Sequence, residues 1–149
     1  MKVKDIMTRN VLTVEKDISL ARAVKIMIDN RISGLPVVDS EYRVIGMITK
    51  SDIVQVSLPS ALRRTGGVEP SLVPPVEIYI GRLREVAGRS VENTMSRQKV
   101  ISARPEMNIS EVAVMMYGED VRRLPVVDEG GYLLGIVSYS DIAAIIADD

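Results

Sequence analysis

The 149-residue sequence contains no cysteine and no histidine. Disulfides, thiolate nucleophiles, Cys- or His-based zinc sites, Ser-His and Cys-His relays and imidazole acid–base chemistry are therefore all excluded. Phe and Trp are also absent, and only five Tyr are present. The core must be aliphatic, built from Val, Ile, Leu, Met and Ala. The net charge is −1, without the basic excess by which proteins neutralise nucleic-acid phosphates, so a nucleic-acid partner is not expected. No apolar run approaches the roughly 20 residues that span a bilayer. The N-terminus lacks the charged-then-apolar pattern of a signal peptide. These absences lead to the expectation of a cytoplasmic protein with no membrane partner. Neither GxGxxG nor GxxxxGK[ST] occurs, so phosphate cradles of those kinds are missing too. Carboxylates and lysines remain for catalysis, but the commonest machinery does not, and an enzyme is not expected.

What the sequence does have is self-similarity. Leu35-Pro36-Val37-Val38-Asp39 recurs 89 positions later as Leu124-Pro125-Val126-Val127-Asp128. The same shift carries Met27 to Met116, Gly46 to Gly135 and Ser51-Asp52-Ile53 to Ser140-Asp141-Ile142. Met7-Thr8 matches Met95-Ser96 after a one-residue slip. Several matches in one register indicate a duplication.

Each repeat reads as the same string of elements. A short strand, Val11–Val14 or Val100–Ser102, comes first. An amphipathic helix follows from about Ser19 to Asp29, with Leu20, Ala23, Val24, Met27 and Ile28 at helical spacing. Ile109, Val112, Ala113 and Met116 form its counterpart. Ser19 and Asn108 occupy matched positions and suit an N-cap. Two buried strands come next, Leu35–Val38 and Val44–Ile48, echoed by Leu124–Val127 and Leu133–Val137. A last helix starts near Ser51 or Ser140. Repeat 1 spans 1–58, a linker spans 59–90 and repeat 2 spans 91–149. A repeat of this size buries too little apolar surface to fold comfortably alone, so a pseudo-two-fold pair sharing a core is expected. Pro and Gly make the linker irregular, but Val76, Tyr79/Ile80, Leu83 and Val86/Ala87 predict one helix ending near Gly88. That helix either covers the core or meets a partner.

Two motifs could carry chemistry. The first is Gly46-Met47-Ile48-Thr49-Lys50-Ser51-Asp52, repeated as Gly135-Ile136-Val137-Ser138-Tyr139-Ser140-Asp141. Here a buried strand enters a helix through a hydroxyl and, three residues on, a carboxylate. That spacing is a capping box. It also suits a ligand site, because a helix N-terminus offers free N–H groups and a carboxylate can accept from a ribose diol. The two roles are compatible. The second motif precedes each Leu-Pro: Arg31-Ile32-Ser33-Gly34 and Asp120-Val121-Arg122-Arg123. Paired guanidinium groups suit phosphate, and equally suit a solvated basic loop. Gly46 and Gly135 are read as allowing tight packing or a bulge.

Taken in order and twice over, these strings resemble CBS domains, and the pair resembles a Bateman module. The string includes Asp5-Ile6-Met7-Thr8, Ile32–Asp39 and Gly46–Asp52, then Thr94-Met95-Ser96, Arg123–Asp128 and Gly135–Asp141. The resemblance implies an α+β fold of tandem β-α-β-β-α units packed through their sheets. It implies clefts for AMP, ADP, ATP, S-adenosylmethionine or a similar ligand, with no tightly bound cofactor and no metal. By position, one cleft would draw on Thr8, Leu12, Ile32, Ser33, Thr49 and Asp52. The other would draw on Ser96, Ile101, Val121, Arg122, Ser138 and Asp141. Arg122 and Arg123 would reach phosphates in the first cleft, where repeat 1 supplies only Ser33-Gly34 for the second. The resemblance further implies a homodimer, formed through helix faces bearing Ile53, Val54, Ile142, Ile145 and Ile146, and a separate effector protein as the regulated partner. The competing reading is a ligand-free interaction and dimerisation module.

Overall fold

The computed structural model describes residues 1–65, 69–95 and 100–147. Its elements, in chain order, are α1 (Val3–Ile6), α2 (Leu20–Asp29), β1 (Gly34–Val38), β2 (Val44–Thr49), α3 (Lys50–Ser57), α4 (Ser60–Thr65), α5 (Val76–Ala87), α6 (Ile109–Gly118), β3 (Arg123–Val127), β4 (Leu133–Ser138) and α7 (Tyr139–Ala147). Short 3₁₀ turns lie at Pro70–Leu72 and Val91–Asn93. The strands form two two-stranded sheets, β1-β2 and β3-β4. This is the expected α+β repeat, with one difference. The first strand of each repeat shrinks to a single bridge, Val14 with Val37 and Ala103 with Val126. The β1 and β3 prolines lack an N–H, but their carbonyls still accept from Val14 and Ala103 at 3.1 and 2.8 Å, so each proline sits where only its acceptor is needed. Among the described residues no helix is long and apolar enough to cross a membrane.

Local chemistry explains the boundaries. Ser19 caps α2 by accepting from the Arg22 N–H at 3.1 Å. Asn108 occupies the same position before α6, but its side chain makes no cap bond and instead donates to Glu111 at 3.4 Å. The aspartate ending each Leu-Pro-Val-Val-Asp string folds its hairpin turn. Asp39 Oδ1 accepts from the Glu41 and Arg43 N–H groups, both at 2.9 Å. Asp128 Oδ1 accepts from Gly130 and Tyr132 at 2.9 and 3.0 Å. The Arg43 N–H, with support from Glu41 and from the Arg43 side chain, holds the Asp39 carboxyl below its ordinary value.

The chain divides into two compact units that cut across the repeats. One unit comprises residues 1–13, 38–45 and 98–149; the other comprises 14–37 and 46–97. In the first unit Val3 and Met7 join Val112, Met116, Leu124, Val126 and Val137 in one aliphatic core. Lys2 and Lys4 hold Glu106 at 2.7 and 2.9 Å, and these bonds, Lys2 first, lower the Glu106 carboxyl to about 2. In the second unit the segment after α5 closes on α2: Leu20 donates to the Arg89 carbonyl at 2.9 Å and Val91 to that of Ile18 at 2.8 Å. The linker helix forms on the expected stripe: Val86 is buried and Tyr79, Leu83 and Ala87 are half-buried, although Val76 at its start and Ile80 are exposed.

Both α2 and α6 end in a Schellman motif without glycine. Ile32 donates to the Met27 carbonyl and Arg31 to Ile28; Val121 and Asp120 do the same to Met116 and Tyr117. Arg31 and Asp120 therefore sit at φ 54° and 53°. A side chain with a Cβ costs roughly 1–2 kcal/mol in this region. Glycine removes that cost and returns part of it as entropy of the unfolded chain. Arg31→Gly and Asp120→Gly should each stabilise the protein by about 1 kcal/mol, raising the melting temperature by about 2–4 °C for a domain of this size. A lower melting temperature in both variants would contradict the assigned backbone geometry.

Candidate functional site

The two strand-to-helix turns are built alike. In the second unit Thr49 Oγ1 accepts from the Asp52 N–H at 3.1 Å, and Asp52 Oδ2 accepts from the Thr49 N–H at 2.9 Å. In the first unit Asp141 Oδ2 accepts from the Ser138 N–H at 2.8 Å and from its hydroxyl at 3.0 Å. The Asp141 N–H donates back to Ser138 Oγ at 3.3 Å. Both capping boxes are thus present, and each uses one carboxylate oxygen. Oδ1 of Asp52 and of Asp141 makes no hydrogen bond among the described residues. Both carboxylates are half-buried at the start of a helix, where the free N–H groups and the dipole favour an anion. An acceptor oxygen is therefore left for a ligand hydroxyl without giving up the cap.

The motif glycines are explained by close approach. A Cβ on Gly135 would lie 2.6 Å from the Thr8 carbonyl and 3.1 Å from Met7 Sδ. One on Gly46 would lie 2.6 Å from Met95 Sδ. The methionine before each Thr or Ser thus packs on the glycine of the other repeat's motif. Thr8 also pairs with β4: its N–H donates to the Ile136 carbonyl and its carbonyl accepts from the Ile136 N–H, both at 2.9 Å.

These two bonds fasten Thr8 to the strand that leads into Ser138 and Asp141. The first unit holds Thr8, Leu12, Ile101, Val121, Arg122, Arg123, Ser138 and Asp141, and the second holds Ile32, Ser33, Thr49 and Asp52. Ser96 lies outside the described residues. Thr8, Leu12, Ser33 and Arg122 are exposed; Ile32, Ile101, Val121 and Arg123 are half-buried. Arg123 pairs with Ser138 across the sheet, and the Arg122 carbonyl accepts from Tyr139 at 3.0 Å. In the second unit the Ser33 carbonyl accepts from Lys50 at 3.0 Å. Among the described residues no cluster of carboxylates is arranged to hold a metal.

Comparison with known proteins matches this geometry. The CBS domain profile fits residues 3–58 and 89–148. The chain is 34% identical to an uncharacterized protein of Methanocaldococcus jannaschii, MJ1426, over 95% of this chain and 89% of that one. It matches longer relatives through only part of their length: it spans 23% of the inosine-5'-monophosphate dehydrogenase of the same organism, at 28% identity. Among solved structures, the CBS domain pair of protein MJ0100, crystallised in complex with 5'-methylthioadenosine and S-adenosylmethionine, superposes with a TM-score of 0.73. The two are 26% identical over 99% of this chain and 97% of that one. With a repeated hydroxyl-and-carboxylate turn in each of two matched domains, the chain belongs to the CBS domain family as a tandem pair.

Proposed function

We propose that this CBS pair is a regulatory module that binds an adenosine-containing ligand: AMP, ADP, ATP, S-adenosylmethionine or a close relative. The observation that carries the proposal is the duplicated turn. Each copy leaves one carboxylate oxygen, on Asp52 and on Asp141, available to a ribose hydroxyl. Support comes from the MJ0100 pair, 26% identical and bound to two adenosine compounds. In the first unit Thr8 adds a hydroxyl-bearing segment beside Asp141, and Leu12 and Ile101 offer apolar surface to a base. The exposed guanidinium of Arg122 supplies charge for a phosphate. The module acts by favouring one arrangement of the protein when ligand is bound, and its effector is a separate protein. We include a homodimer in the proposal. Val54, Tyr117 and Ile146 are exposed on helices α3, α6 and α7, although Ile53, expected on the same face, is buried.

A thermal-shift screen of AMP, ADP, ATP, S-adenosylmethionine and adenosine tests the reading. A ligand at a hundred times its dissociation constant adds about 2.7 kcal/mol, a shift of several degrees. At least one compound should produce it. No shift with any of them would favour the ligand-free interaction module.

A further inference from the structure

We propose that α3 is a coupling rod that carries the state of the Thr49–Asp52 turn to the linker helix α5. The functional part of this inference rests on the ligand reading above. At its start α3 is held by the capping box. At its end Ser57 is, among the described residues, the one fully buried polar side chain. The Ser57 hydroxyl donates to the Val54 carbonyl at 2.6 Å. Its single proton is then used, so the Tyr79 hydroxyl, 3.0 Å away, donates to Ser57 Oγ. The Ser57 carbonyl, one of the orphan acceptors at a helix end, accepts from Arg82 Nε at 3.0 Å. Two side chains of α5 thus cap the far end of α3.

A helix of only two turns does not persist on its own, because nucleation is costly. Loosening either end of α3 therefore weakens the whole element, and the two caps report on one another. The packing leaves α5 room to respond. A groove of about 540 Å³ separates α2, α3 and α5, lined by Ala21, Val24, Ile28, Ile53, Leu83 and Ala87 among others. The device is confined to repeat 1. In α7 the position matching Ser57 is Ile146, which is 78% exposed, and no α7 residue is buried. The element that moves carries Val76, Ile78 and Ile80 on its exposed side, so its displacement changes an apolar surface.

Amide hydrogen exchange resolved by residue tests the coupling without any ligand, using α6 as the internal reference. Thr49→Val removes the cap acceptor at the start of α3. It should speed exchange across Val76–Ala87 relative to α6 by about fivefold or more, the lower end of typical couplings between sites. Ser138→Ala, the matched change in repeat 2, should leave α5 exchange unaltered. Reciprocally, Tyr79→Phe combined with Arg82→Ala should speed exchange at Asp52 and Ile53. Unchanged α5 exchange in Thr49→Val, or equal responses to Thr49→Val and Ser138→Ala, would overturn the coupling whether or not a ligand binds. A second arm adds AMP or S-adenosylmethionine, with binding followed by calorimetry. A bound nucleoside should slow α5 exchange in the wild type and not in Tyr79→Phe/Arg82→Ala; equal slowing in both would also overturn the proposal. Coupling intact in the absence of any binding would support the rod and contradict the ligand reading.

Discussion

Gly135→Ala is expected to destabilise the protein by about 3 kcal/mol, well beyond the effect of Gly46→Ala. The added methyl at position 135 meets the Thr8 carbonyl at 2.6 Å. That oxygen is backbone and is itself held by the Ile136 N–H. The clash is relieved only by moving Met7-Thr8 off β4, which breaks a reciprocal pair of hydrogen bonds. Overpacking costs typically 1–3 kcal/mol, and each lost bond adds about 1 kcal/mol. At position 46 the nearest atom is Met95 Sδ, also at 2.6 Å. A methionine side chain has rotamers to spare, so Gly46→Ala should cost about 1 kcal/mol. Chemical denaturation of both variants reads the difference. Equal losses, or a neutral Gly135→Ala, would contradict the anchoring of the N-terminal segment on β4. The same variant displaces Thr8, so it should also weaken any ligand bound beside Asp141.

Asp52→Asn and Asp141→Asn should each weaken adenosine-ligand binding at their own turn by about ten- to a hundredfold while leaving the helix capped. The asparagine carbonyl can still accept from the Thr49 or Ser138 N–H, in place of Oδ2. Its amide nitrogen cannot accept from a ribose hydroxyl. Hydrogen bonds to a charged acceptor contribute roughly 1.5–3 kcal/mol, which sets the size of the loss. Asp52→Ala differs, because it also removes the cap and should cost about 1 kcal/mol of stability. Comparing the two substitutions separates the roles. If Asn and Ala lower stability alike and neither changes affinity, the carboxylates are helix caps only.

Much of the fold is legible because the repeat reports it twice. Matched apolar stripes mark α2 and α6, and matched Leu-Pro strings mark β1 and β3. The capping boxes follow from the spacing of Thr49 to Asp52 and Ser138 to Asp141. What escapes the sequence is partner choice. Thr8 belongs with Ile136, 128 positions away, and a duplication shows which segments are alike but not which ones touch. The roles of Asp39 and Asp128 as turn acceptors are written only in backbone geometry. Asn108 has the right residue type for a cap, yet its side chain turns to Glu111. The linker helix buries Val86 as its spacing predicts, but the spacing does not show that Val76 and Ile80 face out.

The central claim is that the two carboxylates at the strand-to-helix turns hold an adenosine ligand. Isothermal titration of AMP and S-adenosylmethionine into the wild type and into Asp52→Asn/Asp141→Asn tests it most directly. The wild type should give saturable heat with at least one compound. The double variant, still folded and melting near the wild-type temperature, should lose at least tenfold in affinity at every site. A wild type that binds neither compound, or a double variant that binds as tightly as the wild type, would contradict the account.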